Sequence, residues 1–143
     1  MIPKFRVWDT IKKAMSEVEA IVYTEEKVYP FYSKVIRRYI PFSEAILMQS
    51  TGLFDVNGKE IFEGDVFTCL DDDNDPIYEN IVVKFGRHTN MDTIFERKPV
   101  YIGLYAEVQK GTATLDVDTM YNDCEGRLTI IGNIYENPEL VEG

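Results

Sequence analysis

Cysteine is scarce in this chain of 143 residues, which contains only Cys69 and Cys124. Two cysteines are too few, and too far apart in the sequence, to predict a disulfide framework or a zinc site. We therefore expect each of them to be a small buried or half-buried thiol in a reducing cytoplasm.

Histidine is scarcer still, because His88 is the only one in the sequence. A Ser-His-Asp triad would have to include it, yet no GxSxG turn or comparable nucleophile motif accompanies it. A pairing of His88 with Cys69 or Cys124 also lacks a local signature. His88 is therefore predicted to lie in a polar loop, and the sequence assigns no catalytic residue.

The chain has no apolar run of about 18 residues, and its first residues, MIPKFRVWD, lack the apolar core of a signal peptide. These absences predict a cytoplasmic protein that does not enter a membrane. Basic residues are also few, since 15 Lys and Arg face 25 Asp and Glu and leave a net charge of −10. Such a charge repels the phosphates of nucleic acids and anionic lipids, so neither is the expected partner.

Motifs that hold a metal or a nucleotide are absent as well. Asp71, Asp73 and Asp75 have the spacing that opens a calcium-binding EF-hand loop. However, Pro76 stands where that loop needs glycine, and Val82 stands where it needs a bidentate glutamate. Neither GxxxxGK[ST] nor GxGxxG occurs in the sequence. The acidic run is therefore predicted to be a solvated loop, and no cofactor is expected.

Apolar residues, in contrast, make up 45% of the chain, and its aromatic residues include 9 Tyr and 8 Phe. This content can build a core, and with the many Val and Ile residues it favours strands. Turn signals recur about every eight to twelve residues, which is typical of a β-barrel or β-sandwich with little helix. We predict a single mainly β domain over 1–143, with a possible subdivision into an N-terminal hairpin region, 1–45, and a barrel-like body, 46–143.

Two chain reversals organise the stretch from 47 to 67. Asn57-Gly58 tolerates positive φ at little steric cost and is a strong signal for a tight turn. Gly64-Asp65 supplies a second reversal just before an apolar strand at 66–70. The nearby carboxylates of Glu60, Glu63 and Asp65 are predicted to accept hydrogen bonds from turn amides rather than to perform acid–base chemistry.

Alternation of apolar and polar residues predicts the remaining strands. They are Phe5–Asp9, Ala14–Val18, Ala20–Tyr23, Val28–Tyr32, Ile46–Ser50, Ile77–Phe85, Val100–Val108, Thr112–Val117 and Arg127–Ile131. A helix from Ser43 through Gln49 competes with the strand at 46–50, and Gly52 is expected to end that segment.

The connecting segments have signals of their own. The stretch 33–42 is predicted to be an extended connection or an edge strand, because Pro41 excludes a helix or a central strand there. The polar stretch from Arg87 to Asp92 is predicted to be a long loop, and 122–126 to be a turn. Near the end, Asn137-Pro138 predicts a single helical turn.

One local cluster of bases stands out, formed by Lys34, Arg37 and Arg38 and interleaved with Tyr32 and Tyr39. Cations mixed with stacking rings are typical of a nucleic-acid surface. In a chain of net charge −10, pairing of these bases with the acidic excess, within the chain or across a subunit contact, is the favoured interpretation. Lys34, Arg37, Arg38 and Tyr39 are therefore the candidate contact residues for a partner or for nucleic acid.

Four segments that span nearly the whole chain resemble the YopX family of small phage and prophage proteins. They are Phe5–Asp9 with Met15, Leu47–Val66 containing MQSTGL and NGKEIFEGD, Val82–Phe85, and Ile131–Leu140 with the sequence IGNIYENPEL. The resemblance implies a mainly β protein with an SH3-like or barrel-like C-terminal body, made in a bacterial cytoplasm. It implies no site residues, because the family has no established catalytic ones.

The sequence thus favours a non-enzymatic phage accessory protein that binds a host or phage protein and forms a homo-oligomer. One alternative is a nucleic-acid-associated regulator that uses the Lys34–Tyr39 cluster, and an acidic DNA mimic is a variant of the binding hypothesis. A second alternative is an enzyme with an unrecognised site around His88 or a cysteine.

Overall fold

A computed structural model describes residues 2–31, 37–73, 75–88, 101–108 and 113–141. The chain divides into two compact units, Met1–Ser50 and Thr51–Gly143. Both units consist mainly of antiparallel strands, so the prediction of a mainly β protein with little helix is confirmed.

The first unit is a sheet of short strands connected by tight turns. Its strands are β1 (Phe5–Asp9), β2 (Ala14–Val22), β3 (Lys27–Pro30), β4 (Ile40–Pro41) and the first part of β5 (Ala45–Phe54), in the order β4-β3-β2-β1-β5. Lys13 and Glu26 adopt positive φ in the two hairpin turns, where the chain reverses. Val7, Val28 and Ile40 form the buried core of this unit.

One strand prediction for the first unit was wrong. Ala14–Val18 and Ala20–Tyr23 form one strand rather than two, because a register shift between Val18 and Ala20 lets pairing with β3 continue. The favoured strand at 46–50 is confirmed as part of β5, and the competing helix at 43–49 does not form, since a 3-10 helical turn at Phe42–Glu44 leads directly into the strand. The edge strand predicted in the 33–42 segment is confirmed at β4, and residues 33–36 lie outside the described residues.

Gly52 does not end its strand, contrary to prediction. The strand β5 continues through it to Phe54, with Gly52 at a φ of +77°. The Thr51 hydroxyl accepts a hydrogen bond from the Leu53 amide at 3.1 Å and donates one to the Ile61 carbonyl at 2.7 Å. These bonds hold the chain in register across the glycine, so that β5 reaches β6 (Glu60–Phe62) in the second unit.

The second unit contains a five-stranded antiparallel sheet. Its strands are β7 (Asp65–Leu70), β8 (Pro76–His88), β9 (Tyr101–Val108), β10 (Ala113–Asp116) and β11 (Leu128–Asn133), in the order β10-β9-β8-β7-β11. Phe67, Ile81, Val83 and Leu128 are among its fully buried side chains. The unit is barrel-like but not closed, which agrees with the predicted barrel-like body.

Both predicted reversals are present in the second unit. At the first, Gly58 has a φ of +80°, and Asp55 Oδ1 accepts hydrogen bonds of 2.9 Å from the amides of Asn57 and Lys59. Asp55 Oδ2 also accepts a hydrogen bond of 3.1 Å from the Ile130 amide. The turn is therefore built around a buried carboxylate that joins it to β11.

The second reversal follows the same principle. Gly64 has a φ of +89°, and Asp65 Oδ2 accepts a hydrogen bond of 2.8 Å from the Phe62 amide. Asp65 is 1% exposed, and its carboxylate accepts a hydrogen bond from a turn amide, as predicted for Asp65.

A short helix, α1 (Val117–Asp123), was not predicted. Asp116 caps it by accepting a hydrogen bond of 2.9 Å from the Thr119 amide, and Val117 and Met120 are buried in the core. The strand predicted at 112–117 therefore ends one residue early, and the predicted turn at 122–126 begins as the last turn of the helix.

The two cysteines form a disulfide, so the prediction of two free thiols was wrong. Cys69 lies in β7 and Cys124 follows α1, and the fold brings their Cα atoms to 5.8 Å. A separation of 55 residues in the sequence hides this proximity, because the unpredicted helix returns the chain to β7.

The strands β8 and β9 form a long two-stranded ribbon. β8 extends to His88, so the loop predicted from Arg87 begins later than expected. Ile81 and Val83 are buried, whereas Phe85, on the same face, is 53% exposed. The apolar face of the ribbon thus continues beyond the buried core.

Candidate functional site

The predicted basic cluster is only partly exposed. Arg37 donates hydrogen bonds from Nε to Asp9 Oδ2 at 2.8 Å and from Nη2 to Asp9 Oδ1 at 2.7 Å. Its Nη1 donates to Glu44 Oε1 at 2.8 Å. The guanidinium is thus engaged by two carboxylates of the first unit, which is the pairing within the chain that the net charge favours. Lys34 and Tyr32 lie outside the described residues.

The ion pair also controls the charge of Asp9, whose side chain is 4% exposed. Burial by itself would raise the pKa of Asp9. The hydrogen bonds from Arg37 and from the amides of Lys12 and Ile11 outweigh this effect, so the pKa lies below its ordinary value. The hydrogen bonds that Arg37 donates to Asp9 raise the pKa of Arg37 above its ordinary value. This arrangement stabilises the first unit and does not offer Arg37 to a ligand.

Arg38 and Tyr39 are exposed and line a shallow depression of about 300 Å³ with Arg37 and Pro41. The Tyr39 ring lies under Lys27, whose Nζ is 4.3 Å from the ring centroid. A partner contact at Arg38 and Tyr39 stays a prediction. Arg37 no longer contributes a free cation to it, because Asp9 and Glu44 bind its guanidinium.

A larger cleft, of about 490 Å³, lies in the second unit. Val82 and Lys84 of β8 and Glu107 of β9 line it on the side of the sheet, and Ile134, Leu140 and Val141 line it on the side of the C-terminal segment. Its volume lies within the range of about 300–1,000 Å³ that is typical of ligand sites. We treat this cleft as the candidate functional site.

The C-terminal wall of the cleft is built by the IGNIYENPEL segment. Asn133 Oδ1 accepts hydrogen bonds of 3.0 and 2.8 Å from the amides of Tyr135 and Glu136, and Asn137 Oδ1 accepts one of 3.2 Å from the Asn133 amide. A 3-10 helical turn at Pro138–Leu140 follows, which confirms the predicted terminal helical turn. Two asparagine side chains thus fold the segment into a rigid wall.

Gly132 lets this wall pack against its own strand. A Cβ atom at this position would lie 2.4 Å from Asn137 Oδ1 and 2.9 Å from Leu140 Cδ1. Only a residue without a side chain leaves room for the turn at this close approach.

The wall is also joined to β8 through the second reversal. The Ile134 amide donates a hydrogen bond of 2.9 Å to the Gly64 carbonyl, and the Gly64 amide donates one of 2.7 Å to the Val83 carbonyl. The NGKEIFEGD and IGNIYENPEL segments, distant in sequence, therefore meet beside the cleft. The sequence alone predicted no site in either segment.

A bulge in β8 places a polar group at the rim. The pairs Phe67–Ile81 and Cys69–Tyr78 leave one extra residue in β8, and Asn80 there has a φ of +54°. Asn80 Nδ2 donates a hydrogen bond of 3.0 Å to the Leu140 carbonyl. Positive φ is uncommon for residues other than glycine, but asparagine adopts it more readily than most residues, which suits it to the bulge.

The charges in the cleft are mostly acidic. Lys84 Nζ lies 3.1 Å from Glu107 Oε2, so these two charges compensate each other. Glu79, at the rim, is exposed and adds a further carboxylate. None of the described residues that line the cleft is histidine, cysteine, serine, threonine or tyrosine. The described part of the lining therefore combines an apolar surface with carboxylates.

The acidic loop at 71–75 and His88 were also singled out in the sequence. In the acidic loop, Asp71 Oδ1 accepts hydrogen bonds of 2.9 Å from the amides of Asp73 and Asp75. Arg127 pairs with Asp72 nearby. Across the described parts of the chain, no group of three or more His, Cys, Asp or Glu side chains is arranged to hold a metal ion. The backbone of His88 ends β8, and its side chain lies outside the described residues.

The helices of the described ranges are all too short or too polar to cross a bilayer.

Comparisons with known proteins agree with the sequence resemblance. The model of the YopX protein family matches residues 4–142. A crystal structure of protein EF1440 from Enterococcus faecalis has a similar fold, with a TM-score of 0.54 and 26% sequence identity over 99% of this chain and 99% of that chain. No curated protein matches the chain. Neither description names a biochemical activity.

Proposed function

The chain belongs to the YopX protein family, and from this premise we propose that it is a non-enzymatic protein-binding module, encoded by a phage or prophage, that binds a segment of another protein in its C-terminal cleft. The observation that carries this proposal is the cleft itself, about 490 Å³ in volume, with Val82, Leu140 and Val141 as apolar contacts and a polar rim. Protein-binding surfaces commonly combine an apolar centre with a polar rim.

The rigidity of the cleft supports a binding role. Its wall is fixed by the side chains of Asn133 and Asn137 and joined to β8 through Gly64. A preformed site avoids part of the entropy cost of ordering on association. The proposed absence of catalysis fits a lining of carboxylates, aliphatic groups and a single Lys84 that is already paired with Glu107.

The test compares two variants that place a charge at an exposed valine. Val141→Asp changes the cleft, where Val141 is 37% exposed. Val56→Asp changes a valine that is 51% exposed and does not line the cleft. Immobilised wild-type protein and both variants are incubated with bacterial host extract, and the retained proteins are identified by mass spectrometry. We expect partners that wild-type and Val56→Asp retain and Val141→Asp loses. Equal retention by all three proteins, or retention of nothing by wild type, contradicts the proposal.

We also propose that the protein forms a homo-oligomer through the apolar face at the end of the β8–β9 ribbon. Phe85 is 53% exposed and Ile102 is 75% exposed, and the register of the strands places them diagonally across the ribbon. Exposed apolar side chains that continue a core surface are typical of subunit contacts.

Sedimentation velocity over a concentration series measures this association. Phe85→Ser is expected to shift the protein towards the monomer, because burying Phe85 removes apolar surface from water. Phe54→Ser is the matched control, since Phe54 is 49% exposed elsewhere in the unit. A monomeric wild-type protein, or equal shifts in the two variants, contradicts the proposed contact.

We further propose that the protein works in the bacterial cytoplasm. The Cys69–Cys124 disulfide removes the support that free thiols gave to this compartment, because disulfides are rare in a reducing cytoplasm. The bond is buried, with Cys69 1% and Cys124 3% exposed, which slows its exchange with cellular thiols. The test is subcellular fractionation of host cells, with rapid alkylation to record the state of the two cysteines. Recovery of the protein outside the cytoplasmic fraction contradicts the proposal.

A further inference from the structure

The charges around the cleft point to the chemistry of its occupant. Resting on the proposed protein-binding function, we propose that the cleft selects a cationic segment, in which an arginine or lysine lies next to an aliphatic side chain. The aliphatic group packs against Val82, Leu140 and Val141, and the cation lies at the carboxylate of Glu79.

The apolar half of this recognition follows from the position of the three aliphatic residues. Val82 is 5% exposed and forms the base of the cleft on β8, whereas Val141 is 37% exposed on the opposite wall. An aliphatic side chain entering between them loses contact with water on two sides. This burial favours binding roughly in proportion to the apolar area removed from water.

The preference for a cation follows from the charges of Glu79, Lys84 and Glu107, since the cleft has two carboxylates and one ammonium group among its described lining residues. Glu107 is already compensated by Lys84 at 3.1 Å, so among the described residues that line the cleft Glu79 is the carboxylate without a compensating cation. Asn80, beside it, uses its amide nitrogen to bind the Leu140 carbonyl, so the side-chain oxygen is the atom left to accept a hydrogen bond. The polar atoms at the rim are therefore acceptors, which match the donors of a guanidinium or ammonium group.

The net charge of the whole chain acts in the same direction. A protein of net charge −10 attracts cationic partners and repels anionic ones over distances of about a Debye length, roughly 10 Å at moderate salt. An anionic segment would meet this repulsion and would place its carboxylate against Glu79. Among the described lining residues, Lys84 is the only cation, and it already forms an ion pair with Glu107.

The experiment uses three blocked pentapeptides that differ only in the central residue, which is arginine, glutamine or glutamate between two leucines. Each is titrated into ¹⁵N-labelled full-length protein, and the amide shifts of Val82, Lys84 and Val141 are followed. We expect the arginine peptide to shift these amides and to bind about fivefold more tightly than the glutamine peptide, with the glutamate peptide weakest. Raising the salt from about 50 to about 500 mM should remove most of this preference.

Three charge variants identify the groups responsible. Glu79→Gln should abolish the preference for arginine, and Lys84→Gln should strengthen it by releasing Glu107. Glu19→Gln, on the exposed surface of β2 and outside the cleft, changes the net charge by the same amount as Glu79→Gln and should leave the preference unchanged.

The outcomes separate this inference from the function on which it rests. If all three peptides shift the cleft amides with equal affinity, or if the glutamate peptide binds best, the selection of cations is wrong and the binding module stands. If no peptide shifts these amides, the inference is overturned, and the comparison of Val141→Asp with Val56→Asp in host extract decides the proposed function separately.

Discussion

Reduction of the Cys69–Cys124 disulfide is expected to lower the free energy of unfolding by about 4 kcal/mol. The bond joins residues 55 apart in the sequence. Closing a loop of this size removes about 14 cal/mol/K of entropy from the unfolded chain, which is about 4 kcal/mol at 25 °C. The folded state should change little, because both sulfurs are buried and a thiol behaves as a small apolar group.

The corresponding change in melting temperature can be worked out from the size of the chain. An unfolding entropy of about 2.1 cal/mol/K per residue amounts to about 300 cal/mol/K for 143 residues, so the loss corresponds to about 14 °C. The shift will be larger if the second unit unfolds by itself, because its unfolding entropy is smaller.

Urea unfolding and calorimetry of the oxidised and the fully reduced protein measure these quantities. The chain has no cysteines besides Cys69 and Cys124, so a reductant has no other target. The double variant Cys69→Ala, Cys124→Ala is the control, and its stability should not respond to reductant. A difference below about 1 kcal/mol between the oxidised and reduced proteins would refute the reasoning from loop entropy.

Three further predictions concern side chains and glycines. Arg37→Met should cost about 2 kcal/mol near neutral pH, because it leaves the buried Asp9 carboxylate without its cation. Folding lowers the pKa of Asp9, so this stabilisation is present above the unfolded-state pKa of about 4 and is lost as the pH falls through the lower folded-state pKa. The urea midpoints of the wild type and the variant should therefore converge in acid. Gly132→Ala should cost about 2 kcal/mol in urea unfolding, with amide shifts confined to the C-terminal wall, because the new methyl group collides with Asn137. Gly58→Ala should cost about 1 kcal/mol by the same measurement, since alanine is strained at a φ of +80°, and an unchanged midpoint would contradict that strain.

Features set by neighbouring residues could be predicted from the sequence. The reversals at Gly58 and Gly64 were correctly predicted, because the residues that make each turn lie within it. The mainly β fold was predicted for the same reason, since alternation of side chains is a local pattern. Gly52 is the exception, because its effect on β5 depends on the bond from Thr51 to Ile61, which belongs to another strand.

Features set by distant residues could not be predicted. The net charge predicted that Arg37 pairs with an acidic group, but only the fold shows that its partner is Asp9, which lies 28 residues earlier. The disulfide and the cleft are similar cases, since each is formed by segments that the folded chain alone brings together. The asparagines of IGNIYENPEL were the one available signal, because side chains of this type at Asn133 and Asn137 commonly stabilise turns.

The bond from the Ile130 amide to Asp55 spans 75 residues, and this has a consequence for synthesis on the ribosome. Translation delivers the first unit well before Ile130 exists, so its strands β1–β4 and the start of β5 are free to pair while the rest of the chain is still being made. The turn around Asp55, in contrast, is synthesised before the Ile130 amide that donates a hydrogen bond to its carboxylate. The second unit therefore completes its assembly after release, and nascent chains stalled before codon 130 should resist protease in their N-terminal part only.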